Sequence, residues 1–459
     1  MDDGQKFIRM TTEPVGRLIG RMAVPTVISM LITSIYNMAD TFFVGLLDNT
    51  SATGAVGVVF SLMAIIQACA FLFGQGSGNY ISRMLGQQHR AEAERMATIA
   101  FFSAIITGIF ITVIGLCFLT PLARLLGSTE TILPYAREYL GIILLGAPWM
   151  IGSLVLNNQL RFQGSAFYGM IGIGFGGLLN VALDPVFIFG LNMGVTGAAA
   201  ATVISQAVSF LLLLFGTTRK DNLRIRPLLF RPHRADYQEI LRGGIPSLCR
   251  QGLSSASTIA LNYMAGVFGG DPAIAAMSIA NRVTHLAFAA LLGFGQGFQP
   301  VCGFNYGARL YNRVKQGFWL CVRLGSVLLL AASIAGFMFA PELVALFSSD
   351  SEVLRLGALS LRLQCIGFPL LAWIVMNTML TQIIGRVGAA SFLSMARQGL
   401  FFIPFVLGLP LLLRLLGADP LLGVQAAQPL SDIATAIVAV PVCIRVMGDA
   451  LKEERPQTD

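Results

Sequence analysis

The sequence predicts an all-α membrane protein in which twelve transmembrane helices form two parallel six-helix lobes related by pseudo-twofold symmetry. Three observations lead to this prediction. Of the 459 residues, 55% are hydrophobic and only 12% are charged. Twelve apolar stretches are each long enough to cross a bilayer. The chain also repeats itself at a constant offset of 221 residues.

The composition excludes several other classes of protein. The mean hydropathy is +0.73, and a soluble domain carries roughly 25% charged residues, twice the fraction found here. The apolar content excludes a disordered chain. Seven cysteines are too few for a disulfide scaffold of this length, and we interpret them as small packing residues within apolar stretches. The net charge of +8 is not gathered on a polar segment, so nucleic acid is not a predicted partner.

The apolar stretches predict both the helices and their orientation. They are residues 17–44, 53–78, 96–119, 139–162, 168–191, 194–216, 240–267, 273–300, 316–340, 357–383, 390–415 and 421–447. With a cytoplasmic N-terminus, the inside segments hold twenty-two Lys and Arg residues and the outside loops hold four. The positive-inside rule therefore predicts that both termini are cytoplasmic. The basic connection at 217–238 is expected to lie at anionic lipid headgroups.

The internal repeat divides the chain into halves of the same topology. A shift of 221 residues places like residues on each other: Pro25 on Pro246, Gly45 on Gly266, Gly86 on Gly307, and the tetrapeptide 73–76 on 294–297. Each repeat has six helices, an even number, so both halves enter the membrane from the same side. The predicted parts are an N-terminal lobe (1–216), a cytoplasmic linker (217–238) and a C-terminal lobe (239–459). Transporters with parallel repeats bind substrate between the halves, near the midplane.

Two acids lie deep within predicted spans, where a charged side chain costs about 2.5–3.5 kcal/mol, so we treat Asp40 and Asp184 as functional candidates. Asn180 lies one helical turn before Asp184 on the same face, and Thr202 adds a hydroxyl from the next span. These oxygen ligands suit a proton, sodium or water. The alternative for each is a structural hydrogen bond. A third acid, Asp432, opens the last span and is expected to be solvated near its outer end.

The second half of the chain differs, because spans 7 to 11 carry no acid. They carry basic residues instead: Arg250, Arg282, His285, Arg323, Arg362 and Arg397. Ion chemistry is therefore predicted for the N-terminal half. His285 either titrates near neutral pH or is hydrogen-bonded packing. The chain has no nucleotide-binding or catalytic motif, so we predict neither an enzyme nor a cofactor. The only metal considered is sodium at Asp40, Asn180 and Asp184.

Four motifs of the chain are similar to those of one transporter family. They are Pro25 followed by the segment 40–45 (DTFFVG), the segment 74–78 (GQGSG), Asn180 followed by the segment 184–190 (DPVFIFG), and the segment 297–300 (GFQP) followed by the segment 305–308 (NYGA). On these motifs the chain resembles the MATE family (multidrug and toxic compound extrusion), in its DinF-like bacterial branch. The resemblance covers nearly the whole chain.

The resemblance implies export of amphiphilic, cationic drugs or toxins in exchange for protons or sodium ions, by alternating access. Asp40, Asn180, Asp184 and Thr202 match the cation-coupling site of the family. The side chains expected in the polar substrate cavity are Tyr36, Asn37, His285 and Arg397. Family members that bind cations in the C-terminal lobe have acids there, which this chain lacks.

The resemblance also implies a cellular setting. We expect a multi-pass protein of the bacterial plasma (inner) membrane that works as a monomer with no obligatory protein partner. Its partners would be amphiphilic small molecules and membrane lipids.

Three other functions were weighed against drug export. A lipid-linked oligosaccharide flippase of the wider superfamily would use cationic side chains to hold a pyrophosphate, for which Arg250, Arg282 and Arg397 are available. A carrier of the major-facilitator type shares twelve spans and parallel halves, but the connection after span 2 lacks its acidic and basic signature. A structural or signalling membrane protein has no feature of the sequence in its favour.

Overall fold

The computed structural model describes residues 3–47, 50–219 and 221–452, and all regular elements in these ranges are helical. The predictions for Lys220 and for the two chain ends lie outside the described residues. The α-helices are, in chain order, α1 (Asp3–Thr12), α2 (Val15–Gly45), α3 (Thr50–Gly86), α4 (Arg90–Cys117), α5 (Leu119–Leu125), α6 (Leu133–Phe162), α7 (Ala166–Pro185), α8 (Gly194–Thr217), α9 (Arg234–Gly307), α10 (Tyr311–Met338), α11 (Ala340–Ala345), α12 (Ser351–Gly367), α13 (Leu371–Ile383), α14 (Val387–Met395), α15 (Phe402–Leu415) and α16 (Pro420–Lys452).

Four shorter helical pieces complete the described ranges. A π-helical turn, Val186–Gly190, follows α7 directly, and a second one, Ala396–Leu400, joins α14 to α15. A 3₁₀ turn, Phe368–Leu370, joins α12 to α13, and another lies at Pro227–Leu229 in the connection between α8 and α9. Segments α12 and α13 therefore act as one span, and so do α14 and α15.

In the described ranges, eleven helical segments are long and apolar enough to cross a membrane. One of them is α9, with 74 residues, which as a straight helix would measure about 110 Å, against about 30 Å for the hydrocarbon core. Its helix is interrupted at Gly270, where φ is 63° and ψ is −161°, a conformation that is open essentially to glycine alone. Residues on both sides of Gly270, such as Ala265 and Ala273, enter one hydrophobic cluster. The chain thus reverses there, and α9 supplies two of twelve crossings.

The chain divides into two compact units. The first contains residues 1–248 together with 303–308, and the second contains 249–302 and 309–459. The last turn of α9 thus packs with the first unit although the preceding part of that helix belongs to the second.

Small residues set the helix spacing in the first unit. A large apolar cluster of the described residues joins α3, α6 and α8, and α7 packs closely beside it. A β-carbon at Gly177 on α7 would lie 2.8 Å from Ile32 Cγ2 on α2. A β-carbon at Gly197 on α8 would lie 2.8 Å from the carbonyl carbon of Phe187. Glycine at these positions allows the close approach of helices, which brings α2, α7 and α8 together around polar side chains.

The N-terminal helix α1 is fixed to the rest of the first unit by a buried lysine. Lys6 Nζ donates to Ser165 Oγ at 2.9 Å and to the Asp221 carbonyl at 3.0 Å. Asn222, next to this contact, donates from its amide to the Gly216 carbonyl at 2.8 Å. Burial lowers the pKa of Lys6 from its ordinary value of 10.5 to about 7.

Among the described residues of the second unit, one apolar cluster joins α9, α15 and α16, and another joins α9, α11 and α12. Gly423 on α16 packs against Pro410 on α15, so that a β-carbon at Gly423 would lie 2.7 Å from the proline nitrogen. Gly367, at the end of α12, gives room to the side chain of Asp432, since a β-carbon there would lie 3.1 Å from Asp432 Oδ2. These contacts hold α12 and α15 against α16.

Candidate functional site

The structure brings three of the predicted site residues into direct contact inside the first unit. Asn180 Nδ2 donates to Asp184 Oδ1 at 3.4 Å and to Thr202 Oγ1 at 3.3 Å. Asn180 and Asp184 share a face of α7, as their spacing of four predicts, while Thr202 comes from α8. All three side chains are buried. One amide therefore links the acid of α7 to the hydroxyl of α8.

Asp40 joins this cluster through a residue that was not predicted. Tyr139 on α6 is hydrogen-bonded through its hydroxyl both to Asp40 and to Thr202. Because Thr202 also accepts from Asn180, a continuous chain of hydrogen bonds runs from Asp184 to Asp40. The two carboxyl groups are also near enough to interact electrostatically. Four helices, α2, α6, α7 and α8, thus converge on one polar cluster, which we name the acid cluster: Asp40, Tyr139, Asn180, Asp184 and Thr202.

Several oxygen atoms of the acid cluster have no hydrogen-bond partner. Asp40 Oδ1, Asn180 Oδ1 and Asp184 Oδ2 are buried atoms that no donor of the described residues reaches. Leaving a buried acceptor unsatisfied costs about 1–3 kcal/mol. In the described part of the chain no group of three His, Cys, Asp or Glu side chains could hold a metal. The atoms without a partner are therefore carboxylate and amide oxygens, which suit a proton or a hard monovalent cation.

A small cavity with a mixed polar and apolar lining lies beside the acid cluster. It has a volume of about 40 Å³ and its polar lining is Thr33, Tyr36, Gln67, Gln206 and Ser209. The Tyr36 hydroxyl is hydrogen-bonded to Gln206, whereas the buried Ser209 Oγ has no partner among the described residues. A cavity needs only about 10–15 Å³ of such space to hold a water. Tyr36 thus faces the cavity one turn before Asp40, and Asn37 lies half-buried beside it on α2.

The backbone changes geometry immediately after Asp184. Pro185 has no amide hydrogen, so the regular α-helical ladder ends there, and the π-turn Val186–Gly190 follows. The Leu191 amide closes this turn on the Val186 carbonyl at 2.9 Å. Single π-turns inside α-helices occur frequently at functional sites. The sequence predicts a local break in the helix at Pro185, but it does not predict the π-turn that follows.

The two other predicted cavity residues, Arg397 and His285, lie in the second unit. Arg397 Nε donates to Asp432 Oδ1 at 2.8 Å, and its guanidinium lies 4.9 Å from the ring centre of Phe288. His285 is exposed on α9, and within the described residues it has no hydrogen bond or ion pair. Neither side chain belongs to the acid cluster.

Both halves of the chain are similar to one family of known proteins. The model of the MatE family matches residues 25–186 and 246–407. Since 246 − 25 and 407 − 186 both equal 221, the two matched segments are one repeat apart. The chain belongs to the MatE family. The first matched segment contains four of the five acid-cluster residues and ends two residues beyond Asp184.

Individual MATE proteins are similar over nearly their whole length. The multidrug export protein MepA of Staphylococcus haemolyticus is 29% identical over 421 residues, which are 91% of this chain and 92% of MepA. The crystal structure of a MATE protein in complex with MaL6 gives a TM-score of 0.91 at 26% identity, covering 97% of this chain and 99% of that one. The structure of an outward-facing multidrug resistance MATE transporter gives a TM-score of 0.89 at 27% identity, covering 96% of this chain and 99% of that one.

These likenesses confirm the predicted fold class of the MATE protein, twelve membrane helices in two lobes. They also confirm the family resemblance stated above. The protein is a multi-pass membrane transporter and not an enzyme.

One prediction about this MATE protein is wrong. Asp432 was expected near water at the outer end of its span, but only 2% of it is exposed. It lies twelve residues inside α16 and accepts hydrogen bonds from Arg397 Nε and from Gln428 Nε2 at 3.0 Å. The prediction failed because it considered the acid alone, while a guanidinium of another helix compensates its charge.

Tyr139 and Gln206 were missed for a related reason. Tyr139 is the first residue of the predicted fourth span, where tyrosine is typical of the membrane interface. Its complete burial depends on α6 passing through the middle of the first unit, which no local pattern shows. The only signal in the sequence for Gln206 is its place one turn after Thr202.

Proposed function

We propose that this MATE protein is a multidrug efflux transporter that exports amphiphilic compounds carrying a cationic group in exchange for protons or sodium ions. The observation that carries the proposal is the set of unsatisfied oxygens on Asp40, Asn180 and Asp184. A proton or a sodium ion bound there would satisfy these atoms and neutralise part of the carboxylate charge.

The hydrogen-bond chain supports coupling between the two acids. Asp40 on α2 and Asp184 on α7 are joined through Tyr139, Thr202 and Asn180. A change of charge at one carboxyl group therefore alters the hydrogen bonds offered to the other. Helix α2 carries Asp40 and also contains Pro25, which removes one of its backbone hydrogen bonds. A rearrangement of the bonds around Asp40 can therefore bend α2 more easily than a regular helix.

Exchange follows from linkage between two ligands. A cationic drug is bound more tightly by the charged acid cluster, and the coupling ion removes that charge. Each ligand then lowers the affinity of the other by the same factor. In alternating access, the ion that enters from outside releases the drug, and drug binding inside releases the ion.

The relatives support drug export over lipid-linked sugar flipping. MepA of Staphylococcus haemolyticus is named a multidrug export protein. A flippase would need several free cations for a pyrophosphate, whereas Arg397 is paired with Asp432 at 2.8 Å. The ions exchanged and the drugs carried remain part of the proposal.

The same proposal includes the cellular setting. We place the protein in the bacterial plasma membrane, as a monomer with both termini in the cytoplasm and with no obligatory protein partner or cofactor. The excess of Lys and Arg in the predicted inside connections supports this orientation.

Efflux from proteoliposomes tests the proposal. Ethidium export is measured first under a proton gradient alone and then under a sodium gradient alone. Asp40→Asn and Asp184→Asn should each abolish gradient-driven export, while the proteins still insert and purify normally. The matched control is Glu138→Gln, since Glu138 is exposed on α6 beside Tyr139. Wild-type protein without export under either gradient, or full export by both Asn variants, would contradict the proposal.

A further inference from the structure

In the second unit, two partly buried arginines are accompanied by a single acidic partner among the described residues. Arg250 on α9 is half-buried, and Arg397 of the π-turn has 15% of its side chain exposed. The one acid that either of them pairs with in the described residues is Asp432, which binds Arg397. Two guanidinium groups are therefore accompanied by a single carboxylate.

Arg397 is held in place from three directions. Its Nε donates to Asp432 Oδ1 at 2.8 Å, and its own carbonyl accepts from Ser431 Oγ at 2.7 Å. The ring of Phe288 lies 4.9 Å from the guanidinium, within the range of a cation–π contact. Arg397 is thus compensated and ordered.

Arg250 lies beside this pair but is not compensated. Its helix α9 packs on the π-turn, since Ser257 Oγ donates to the Gln398 carbonyl and Gly399 makes room for Leu253. Arg250 and Arg397 are near enough to repel each other. No carboxylate among the described residues forms an ion pair with Arg250. A half-buried cation without a counter-charge is costly at membrane depth, unless an anion from outside the chain binds it.

We propose that Arg250, beside the Arg397–Asp432 pair, binds the carboxylate of amphiphilic substrates, so that the second unit favours zwitterionic drugs over purely cationic ones. This inference rests on the proposed export function. The guanidinium is planar and offers two parallel N–H donors, which match the two oxygens of a carboxylate. The neighbouring Phe288 supplies an aromatic surface for the apolar part of such a molecule.

A lipid phosphate is the other source of an anionic group, and two dyes distinguish it from a substrate carboxylate. Rhodamine B carries a free carboxylate, and its ethyl ester is a cation with the same ring system. Binding of each dye to the detergent-solubilised full-length protein is measured by fluorescence anisotropy, without any ion gradient. The variants are Arg250→Gln, Arg250→Lys and the control Arg323→Gln, an exposed arginine of α10.

The wild-type protein should bind rhodamine B more tightly than the ester. Arg250→Gln should weaken rhodamine B binding about tenfold and leave the ester unchanged, because one charged hydrogen-bonding group is lost. The rhodamine B affinity of Arg250→Lys should lie between those of wild type and Arg250→Gln, and the affinity of Arg323→Gln should match wild type. Unchanged binding of the ester also shows that the variant is folded. If Arg250→Gln fails to fold, a rhodamine B affinity of Arg250→Lys equal to wild type overturns the proposal.

Three further results would overturn it. The first is equal affinity of the two dyes for wild type, and the second is equal weakening of both dyes in Arg250→Gln. The third is stabilisation of wild type, but not of Arg250→Gln, by phosphatidylglycerol with no change in rhodamine B binding, because the site then holds a lipid. In each case ester export in proteoliposomes still reports on the proposed function separately.

Discussion

The hydroxyl of Tyr139 on α6 is hydrogen-bonded to the carboxylate of Asp40 on α2. Both side chains belong to helices that meet inside the first unit, and the same hydroxyl reaches Thr202. Among the described residues, Tyr139 therefore provides the hydrogen-bonded connection between Asp40 and the Asn180–Asp184 pair. Removal of the Tyr139 hydroxyl breaks the hydrogen-bonded connection between the two acids without changing either carboxyl group.

Tyr139→Phe should lower gradient-driven ethidium export about tenfold while the protein inserts normally. The ring still fills its space, but two hydrogen bonds are lost and a buried carboxylate loses a donor, at a cost of about 1–3 kcal/mol. The control is Tyr263→Phe, because Tyr263 is an exposed tyrosine of α9. Initial export rates in proteoliposomes give the comparison. Equal rates for wild type and Tyr139→Phe would remove the hydrogen-bond chain from the coupling scheme.

The Arg397–Asp432 pair should be necessary for the stability of the second unit. Arg397→Met should lower the free energy of unfolding by about 3–5 kcal/mol, because it leaves a buried carboxylate uncompensated. The double variant Arg397→Met with Asp432→Leu should recover most of this loss. Thermal unfolding in detergent measures both effects. A double variant as unstable as the single one would mean that packing, and not charge, dominates at this position.

Two glycines of α3 should respond in opposite ways to a methyl group. A β-carbon at Gly76 would collide with the carbonyl oxygen of Ile240, whereas no atom in the described part of the chain lies within 4 Å of a β-carbon at Gly57. Gly76→Ala should therefore destabilise the first unit and reduce export. Gly57→Ala should be neutral or stabilising by up to about 1 kcal/mol, since alanine is the better helix former. Melting temperatures of the two variants, purified side by side, decide between these outcomes.

The buried lysine of α1 should make stability depend on pH. The pKa of Lys6 is about 7 in the folded protein and 10.5 in its ordinary state. Between these values the unfolded chain binds a proton that the folded chain does not. The free energy of unfolding should therefore rise with pH in this window, by up to about 1.4 kcal/mol per unit.

Lys6→Gln should remove that rise, and Lys315→Gln should keep it. The measurement is a set of thermal melts in detergent between pH 7 and 10.5. A slope that is identical in wild type and Lys6→Gln would show that another group is responsible.

The predicted orientation can be checked by labelling. In a variant without the native cysteines, among them the exposed Cys117, a single Asp271→Cys should react with a membrane-impermeant maleimide in whole cells. Asp271 is exposed and follows the reversal at Gly270. Labelling only after permeabilisation would reverse the assignment of both termini.

Features of single helices could be predicted from the sequence. The twelve crossings, the repeat and the shared face of Asn180 and Asp184 all depend on periodicity and spacing along the chain. The contacts of Tyr139 and the pairing of Arg397 with Asp432 depend on how helices rotate against one another. That rotation is set by glycine contacts such as Gly177 on Ile32 and Gly367 on Asp432, which no local pattern encodes. Asp432 is the clearest case, since its partner lies 35 residues away on another helix.

The attachment of α1 has a consequence for biosynthesis. Lys6 binds Ser165 and the Asp221 carbonyl, and the Met10 carbonyl accepts from Asn305 Nδ2 at 3.1 Å. The ribosome makes α1 first, yet the last of these partners appears almost 300 residues later. During synthesis α1 can therefore contact Ser165 and Asp221 once six spans have been made, but it gains the Asn305 contact only after the eighth span. The N-terminal half expressed alone would lack this last contact, so the first unit becomes complete only when the chain has passed residue 308.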